Sequence, residues 1–151
     1  MDSNEINIFA KKIGINSFLG VYAADQLCKL EEHQNGVLIC NTDPSSKIGR
    51  HWIGICLKKS IVIYFDSLNG NFYKSKYIQN FLKKVKKNFL RNDIQIQTSD
   101  SNKCGFHSLV FCFILSKKSS QRTFIRFLSS FSPHKLPFRE QLSLNYFSLI
   151  S

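Results

Sequence analysis

The stretch GRHWIGICLKKSIVIYFDS, residues 49–67, contains two apolar runs separated by a short polar segment. The first run is Trp52 to Leu57 and the second is Ile61 to Phe65. Two such runs joined by three residues, Lys58-Lys59-Ser60, are typical of a β-hairpin. The sequence therefore predicts two adjacent antiparallel strands at the centre of the fold.

The two ends of this hairpin carry polar side chains that could work together. His51 precedes the first strand and Asp66 follows the second. Because the first residue of one hairpin strand lies near the end of its neighbour, we expect Asp66 within reach of the His51 imidazole. A carboxylate there would fix the histidine tautomer and stabilise the imidazolium. Taken alone, a histidine in this position is more often a strand-end residue bonded to a backbone carbonyl.

The rest of the chain predicts an α+β fold, with a mixed sheet of about five strands packed between helices in a single domain, residues 1–151. Pro133 and Pro137 separate the last two expected helices. We expect further strands at Gly36–Cys40 and Ile94–Gln97, a loop over 14–26, and helices over 4–13, 76–90, 104–115, 121–130 and 138–150.

Cysteine use and hydropathy limit the class of protein. The five cysteines include no C-x-x-C pair and no zinc-finger spacing, so we expect free thiols in a reducing compartment and no metal site. Residues 1–7 do not resemble a signal peptide, and the apolar run Leu109 to Leu115 is too short for a membrane span. We expect a soluble, intracellular monomer that does not bind membranes.

The net charge of +11 is concentrated in the second half. Residues 1–70 contain seven basic and seven acidic side chains, whereas residues 71–151 contain fourteen basic and three acidic ones. This asymmetry favours a polyanionic partner, most simply DNA. In the helix expected over 76–90, the basic residues opposite the apolar face are Lys83, Lys84, Lys86 and Lys87, which we expect to contact phosphates.

Cys104 has the features of a nucleophile. It follows the polar residues Ser101-Asn102-Lys103 and begins an apolar helix. The unpaired N–H groups and the dipole at a helix start favour a thiolate. Cys112, in the middle of the same apolar stretch, fits the ordinary role of a buried cysteine.

Three other histidines compete with His51 for the role of base. His33 and His134 lie in polar loops and are expected to be solvated. His107 is the main rival, because three residues after Cys104 it shares a helical face with the thiol. It has no carboxylate nearby in the sequence, so we expect it to pack or to line the cleft.

A thiolate attack also needs hydrogen-bond donors for the developing oxyanion. The backbone N–H of Cys104 is one candidate. The side-chain amide of Gln97, at the end of the expected strand before the cysteine loop, is another, and Gln95 is the alternative on the same face.

Taken in order, these motifs resemble the adenovirus endopeptidase (adenain) family, whose wider clan includes SUMO-specific proteases. The resemblance covers roughly residues 14–116. It rests on Asn41-Thr42, Gly49-Arg50-His51-Trp52, Phe65-Asp66-Ser67, Gln97 and Cys104-Gly105.

The resemblance implies a triad of Cys104, His51 and Asp66, with Gln97 at the oxyanion hole. It also implies cleavage of viral precursor proteins during virion maturation, commonly after glycine, in the virion and the host nucleus. DNA and a short viral activating peptide are the cofactors that it implies. In adenovirus the peptide is joined through a cysteine upstream of the nucleophile, but this chain has no cysteine between Cys56 and Cys104.

Two other functions fit part of the sequence. One is a protease or isopeptidase acting on ubiquitin-like conjugates, for which so compact a chain has little spare docking surface. The other is a non-catalytic, basic DNA-binding protein on a protease fold. This second function would not explain why His51, Asp66, Gln97 and Cys104 occur together.

Overall fold

The computed structural model describes residues 1–70 and 74–151. The described residues form five strands, five α-helices and one short 3₁₀ helix. In chain order these are α1 (Ser3–Lys12), β1 (Phe18–Tyr22), the 3₁₀ helix (Ala24–Lys29), β2 (Gly36–Asn41), β3 (Trp52–Leu57), β4 (Ile61–Phe65), α2 (Lys76–Val85), β5 (Asn88–Arg91), α3 (Cys104–Lys117), α4 (Gln121–Ser129) and α5 (Leu136–Ile150).

The strands form one mixed sheet in the order β1-β2-β3-β4-β5. The two outer pairs, β1 with β2 and β4 with β5, are parallel, whereas the central strand β3 runs antiparallel to both β2 and β4. The central hairpin pairs Gly54 with Phe65 and Leu57 with Val62. The expected α+β class and the mixed sheet of five strands are therefore confirmed at this level.

Helices cover both faces of the sheet, and β3 is buried along its whole length. On one face, Ile53, Ile55 and Leu57 pack with residues of the 3₁₀ helix and α2. On the other, Trp52 and Cys56 pack with α1, α3, α4 and α5. Alternate side chains of a strand point to opposite faces, so one strand supplies both cores.

The position of α3 follows from its sequence. Its middle is apolar on all sides, so the helix is buried against the centre of the sheet. Phe111 stacks on Phe65 with ring centroids 5.0 Å apart, and a Cβ at Gly54 would lie 2.4 Å from the Phe111 ring. The glycine in β3 thus lets α3 approach closely. The hairpin, the strand at Gly36, and the helices α1, α3, α4 and α5 match the sequence predictions.

Two predicted elements near the site are wrong. The helix expected over 76–90 ends at Val85, because Lys86 adopts a left-handed conformation (φ 47°) and residues 88–91 instead pair with β4 as β5. No strand forms over 94–97 in the described structure. The N–H groups of Ile96 and Gln97 both bond the Ser67 carbonyl, at 2.8 and 2.9 Å, and both side chains are buried.

The loop expected over 14–26 is also wrong, because it contains β1 and the start of the 3₁₀ helix. All five positions of β1 are half-buried, so the strand has no alternating pattern to mark it. Its register shifts between Phe18 and Gly20, where the glycine takes a positive φ of 121°. Within the described residues, no helix has both the length and the apolar character needed to cross a membrane.

Candidate active site

The hairpin brings His51 and Asp66 together. Continuing the β3–β4 register one pair beyond Gly54 and Phe65 places Asp66 opposite Ile53, two residues along the strand from His51. The His51 Nε2 lies 2.6 Å from Asp66 Oδ1. The carboxylate is almost fully buried, with 5% of its side chain exposed, and the imidazole is 16% exposed.

Several groups hold the Asp66 carboxylate in place. Its Oδ1 also accepts the N–H of Leu68 and its Oδ2 accepts the N–H of Gly70, both at 2.9 Å. Asn92, which is 1% exposed, accepts the Asp66 N–H at 2.9 Å and donates to the Asp66 carbonyl at 2.7 Å. Asn92 was missed from the sequence. A lone asparagine 26 positions away, in an unremarkable polar segment, carries no local signal of this role.

Cys104 is the first residue of α3 and lies against the other side of the imidazole. Its thiol lies beside the His51 side chain and the backbone of Trp52 and Gly105, and these groups lower its pKa. Because Asp66 occupies Nε2, the ring nitrogen left to face the thiol is Nδ1. Among the described residues, no side chain caps the start of α3.

These contacts favour a thiolate–imidazolium pair. Burial by itself would raise the pKa of the Cys104 thiol, but hydrogen bonds from His51 and the backbone of Trp52 lower it below its ordinary value. Burial would likewise lower the pKa of His51, but hydrogen bonds to Asp66 and Cys104 outweigh it and raise the pKa to about 9. The two shifts therefore act in the same direction, towards a thiolate beside an imidazolium.

The pKa values of the buried cysteines outside the site shift in the opposite direction to that of Cys104. Burial raises the pKa of Cys40, of Cys112 and of Cys56, the last to about 11. Cys112 lies inside α3 as expected, with its Sγ 3.5 Å from the Leu38 carbonyl. Of these four buried thiols, only Cys104 has a lowered pKa.

Gln97 lies between the two halves of the site. It is 1% exposed, its Oε1 accepts the Ser67 hydroxyl at 2.7 Å, and its Nε2 donates to the Ser101 carbonyl at 2.6 Å. It thus connects the neighbour of Asp66 with the loop before Cys104. Gln95 does not share this position, because its amide donates to the Gln97 carbonyl at 2.8 Å.

The other histidines are placed away from the thiol. His107 is fully buried, its Nδ1 lies 2.8 Å from the Ser143 hydroxyl, and burial lowers its pKa to about 4. It packs against α5 and does not line the cleft. The His33 side chain is 82% exposed, as expected, whereas His134 is half-buried, with its ring 4.7 Å from that of Phe138, and is not a solvated loop histidine.

The four lysines expected to bind DNA do not form one free helical face. Lys83 is exposed on α2, and Lys86 is exposed at its left-handed end. The Nζ of Lys84 donates to the carbonyls of Cys28 and Leu30, each at 3.1 Å. The Nζ of Lys87 is shielded from solvent, and burial lowers its pKa.

Two cavities flank the His51–Trp52 segment. The larger, of about 640 Å³, is lined by residues 1–5, the loop 44–49, Asn41 and Trp52. The smaller, of about 350 Å³, is lined by His51, Asp66 and the start of α2. Met1 forms the wall between the larger cavity and α3, because its carbonyl accepts the Trp52 indole N–H at 3.0 Å and its sulfur lies against Gly105.

The described part of the chain contains no cluster of three or more histidine, cysteine or acidic residues that could hold a metal ion. The chemistry that this arrangement can perform is nucleophilic attack by a thiolate with an adjacent imidazolium as proton donor.

No family model matches the sequence, and a search of the curated proteins found no match. These two comparisons give no support for the adenovirus attribution, which stays a prediction. The structure is similar to a solved one titled "AvrA delL154 with IP6, CoA", with a TM-score of 0.47 and 16% sequence identity. The similarity covers 77% of this chain and 47% of that one, so the chain spans about half the length of AvrA. The functional argument therefore rests on the geometry of the site.

Proposed function

We propose that this protein is a cysteine endopeptidase in which Cys104 is the nucleophile, His51 the acid and base, and Asp66 the residue that orients the histidine. The observation that carries the proposal is the imidazole of His51, whose Nε2 lies 2.6 Å from a buried carboxylate and which lies beside the thiol of Cys104. This is the arrangement of a triad, which is recognised by geometry and roles and not by sequence position.

The proposed reaction has two stages. The Cys104 thiolate attacks the carbonyl carbon of the scissile peptide bond, and the intermediate collapses as the C–N bond breaks and the amine takes a proton from the His51 imidazolium. The neutral imidazole then removes a proton from water, whose oxygen attacks the thioester and releases the thiolate. The raised pKa of His51, about 9, suits the first stage, because the proton donor is already present at neutral pH.

The oxyanion would be stabilised by the start of α3 and by Gln97. The first N–H groups of α3 have no side-chain cap in the described structure. One N–H of the Gln97 amide donates to the Ser101 carbonyl, and the amide has a second donor for the oxyanion. Donors fixed in advance by the fold need no reorganisation as the charge develops.

We further propose viral precursor polypeptides as the substrates, following the resemblance to adenovirus endopeptidases in Gly49-Arg50-His51-Trp52 and Cys104-Gly105. An extended substrate would occupy the two cavities beside the His51–Trp52 segment, the smaller of which is lined by His51 and Asp66. Virion and host nucleus as its location, DNA as a stimulating polyanion and a viral peptide as activator belong to the same proposal. Of the four lysines predicted to bind DNA, Lys83 and Lys86 are the two whose exposed side chains are available to contact phosphates.

Proteolysis can be tested with a peptide library, which does not require the natural substrate. The protein is incubated with proteome-derived peptides, with and without duplex DNA, and new termini are identified by mass spectrometry. We expect cleavage by the wild type and by Cys28→Ala, which removes an exposed thiol outside the site, and none by Cys104→Ala. Identical new termini from Cys104→Ala would contradict the proposal.

A further inference from the structure

Glu140 of α5 contacts the loop that joins Gln97 to Cys104. Its Oε2 accepts the Thr98 hydroxyl at 2.6 Å and the Thr98 N–H at 3.4 Å, and the nearby Ser101 side chain helps to lower the pKa of the carboxylate. Thr98 and Ser101 precede Glu140 in the sequence by 42 and 39 positions, respectively. A helix on the far side of α3 therefore determines where this loop lies.

The loop residues that Glu140 holds are those that place the two parts of the proposed oxyanion site. Ser101 accepts the Gln97 amide through its carbonyl at 2.6 Å and the Lys103 N–H through its hydroxyl at 3.3 Å. Lys103 immediately precedes Cys104. Ser101 thus contacts both Gln97 and Lys103, and the Glu140 carboxylate lies next to the Ser101 side chain.

The second carboxylate oxygen of Glu140 faces His107. Glu140 Oε1 and His107 Nε2 are 3.6 Å apart, and each is buried without a hydrogen-bond partner in the described structure. The other ring nitrogen of His107 is held by the Ser143 hydroxyl at 2.8 Å. The Glu140 carboxylate therefore faces the buried His107 imidazole on one side and Thr98 of the loop on the other.

We propose that Glu140 is a positioning residue for catalysis: it accepts hydrogen bonds from the hydroxyl and the N–H of Thr98 and so keeps the Gln97 amide and the start of α3 aligned on the same oxyanion. This inference rests on the proposed function. Glu140 does not touch the thiol, so its loss should leave the thiolate reactive while impairing the step that develops negative charge on oxygen.

Two chemical probes separate these effects. Iodoacetamide alkylates the Cys104 thiolate without forming an oxyanion. With p-nitrophenyl acetate, the bond between sulfur and the acyl carbon forms, the bond to p-nitrophenolate breaks, and an oxyanion develops between the two events. The ratio of the acylation rate to the alkylation rate therefore reports on the oxyanion site and not on the thiolate.

We expect Glu140→Ala to lower this ratio about 10- to 100-fold, less than the about 100- to 1,000-fold cost of removing an oxyanion donor, because the donors are misaligned and not lost. Glu140→Gln should restore it to within about threefold, because the amide oxygen can accept from Thr98 while its NH₂ donates to His107 Nε2. The matched control is Gln141→Ala, on the exposed side of the same helical turn.

A folded Glu140→Ala protein with the wild-type ratio would overturn the proposal, as would a Glu140→Gln protein as impaired as the alanine variant. If Glu140→Ala does not fold, Thr98→Val removes the hydroxyl donor at nearly constant shape. It should lower the ratio at least about threefold, and an unchanged ratio overturns the inference. Failure of the proposed function gives a different result: the wild type would not be acylated above the level of Cys104→Ala.

Discussion

Replacing Asp66 by asparagine tests whether the buried carboxylate maintains the charged state of the site. Both carboxylate oxygens act as acceptors, Oδ1 for His51 at 2.6 Å and Leu68 N–H at 2.9 Å, and Oδ2 for Gly70 N–H at 2.9 Å. An amide has one oxygen. In either orientation of Asp66→Asn, the NH₂ group faces a buried N–H donor, so the substitution cannot reproduce the native contacts.

The size of the effect follows from the bond that is lost. A hydrogen bond to a charged group contributes about 1.5–3 kcal/mol, which corresponds to about one to two units of pKa. Without the carboxylate, the pKa of His51 should fall from about 9 towards neutrality. Because the imidazolium helps to lower the pKa of Cys104, less thiolate will be present at pH 7, and its reactions should slow by about 10- to 100-fold.

The assay is the rate of Cys104 alkylation by iodoacetamide between pH 5 and 9, measured by mass spectrometry of the modified peptides. Cys28, which is exposed and lies outside the site, is an internal reference whose profile should not change between proteins. The control variant Asp93→Asn makes the same chemical change at an exposed position. We expect the Cys104 profile to move to higher pH only in Asp66→Asn.

Circular dichroism and a denaturant titration establish that the Asp66→Asn protein is folded under the assay conditions. If a folded Asp66→Asn protein gives the same Cys104 profile as the wild type, then the carboxylate does not support the imidazolium. The triad would then reduce to a thiol and a histidine, and the structural argument for Asp66 would be wrong.

Three further predictions concern stability and charge. Burial lowers the pKa of His107 to about 4, so between about pH 6.5 and 4 the unfolded chain binds one more proton than the folded protein. The free energy of unfolding should therefore fall by about 3 kcal/mol as the pH drops through this window. Urea denaturation at pH 7 and 4.5 should show a smaller loss in His107→Gln than in the wild type. Asn92→Ala leaves the buried N–H and C=O of Asp66 without partners and should cost about 2–4 kcal/mol in the same titration, whereas a cost below 1 kcal/mol would contradict the assigned hydrogen bonds. If Lys83 and Lys86 contact phosphates, their double alanine variant should reduce the slope of log K against log[salt] for a DNA duplex by about 1.8, and an unchanged slope would remove this surface from the interface.

The parts of the site that could be predicted from sequence are those that local patterns determine. The hairpin register depends on a short connection, so two apolar runs were enough to place Asp66 near His51. Cys104 could be assigned to a helix start because a polar segment gives way abruptly to an apolar one. Both inferences need only a few neighbouring residues.

The parts that could not be predicted depend on distant partners. The apolar spacing through Phe89 fits a helix, but β4 needs a neighbour on its open edge, and residues 88–91 supply it. Phe89 is consequently 39% exposed instead of buried. The segment around Gln97 alternates like a strand, yet its N–H groups bond the Ser67 carbonyl 30 positions away. Tertiary contacts override local propensity in both places.

The site joins two units that are assembled in different ways. His51 and Asp66 belong to one hairpin and are brought together by local pairing, whereas Cys104 reaches them only because α3 packs on β3. That packing is fixed close to the site by the Ser108 hydroxyl, 3.2 Å from the Trp52 carbonyl, and deeper in the core by the stacked rings of Phe111 and Phe65. The backbone of Trp52 also bonds the thiol, so the residue that anchors α3 is the one that helps to lower the pKa of Cys104. A substitution that disturbs the packing of α3 on β3 is therefore expected to change the pKa of Cys104 as well as the stability of the core.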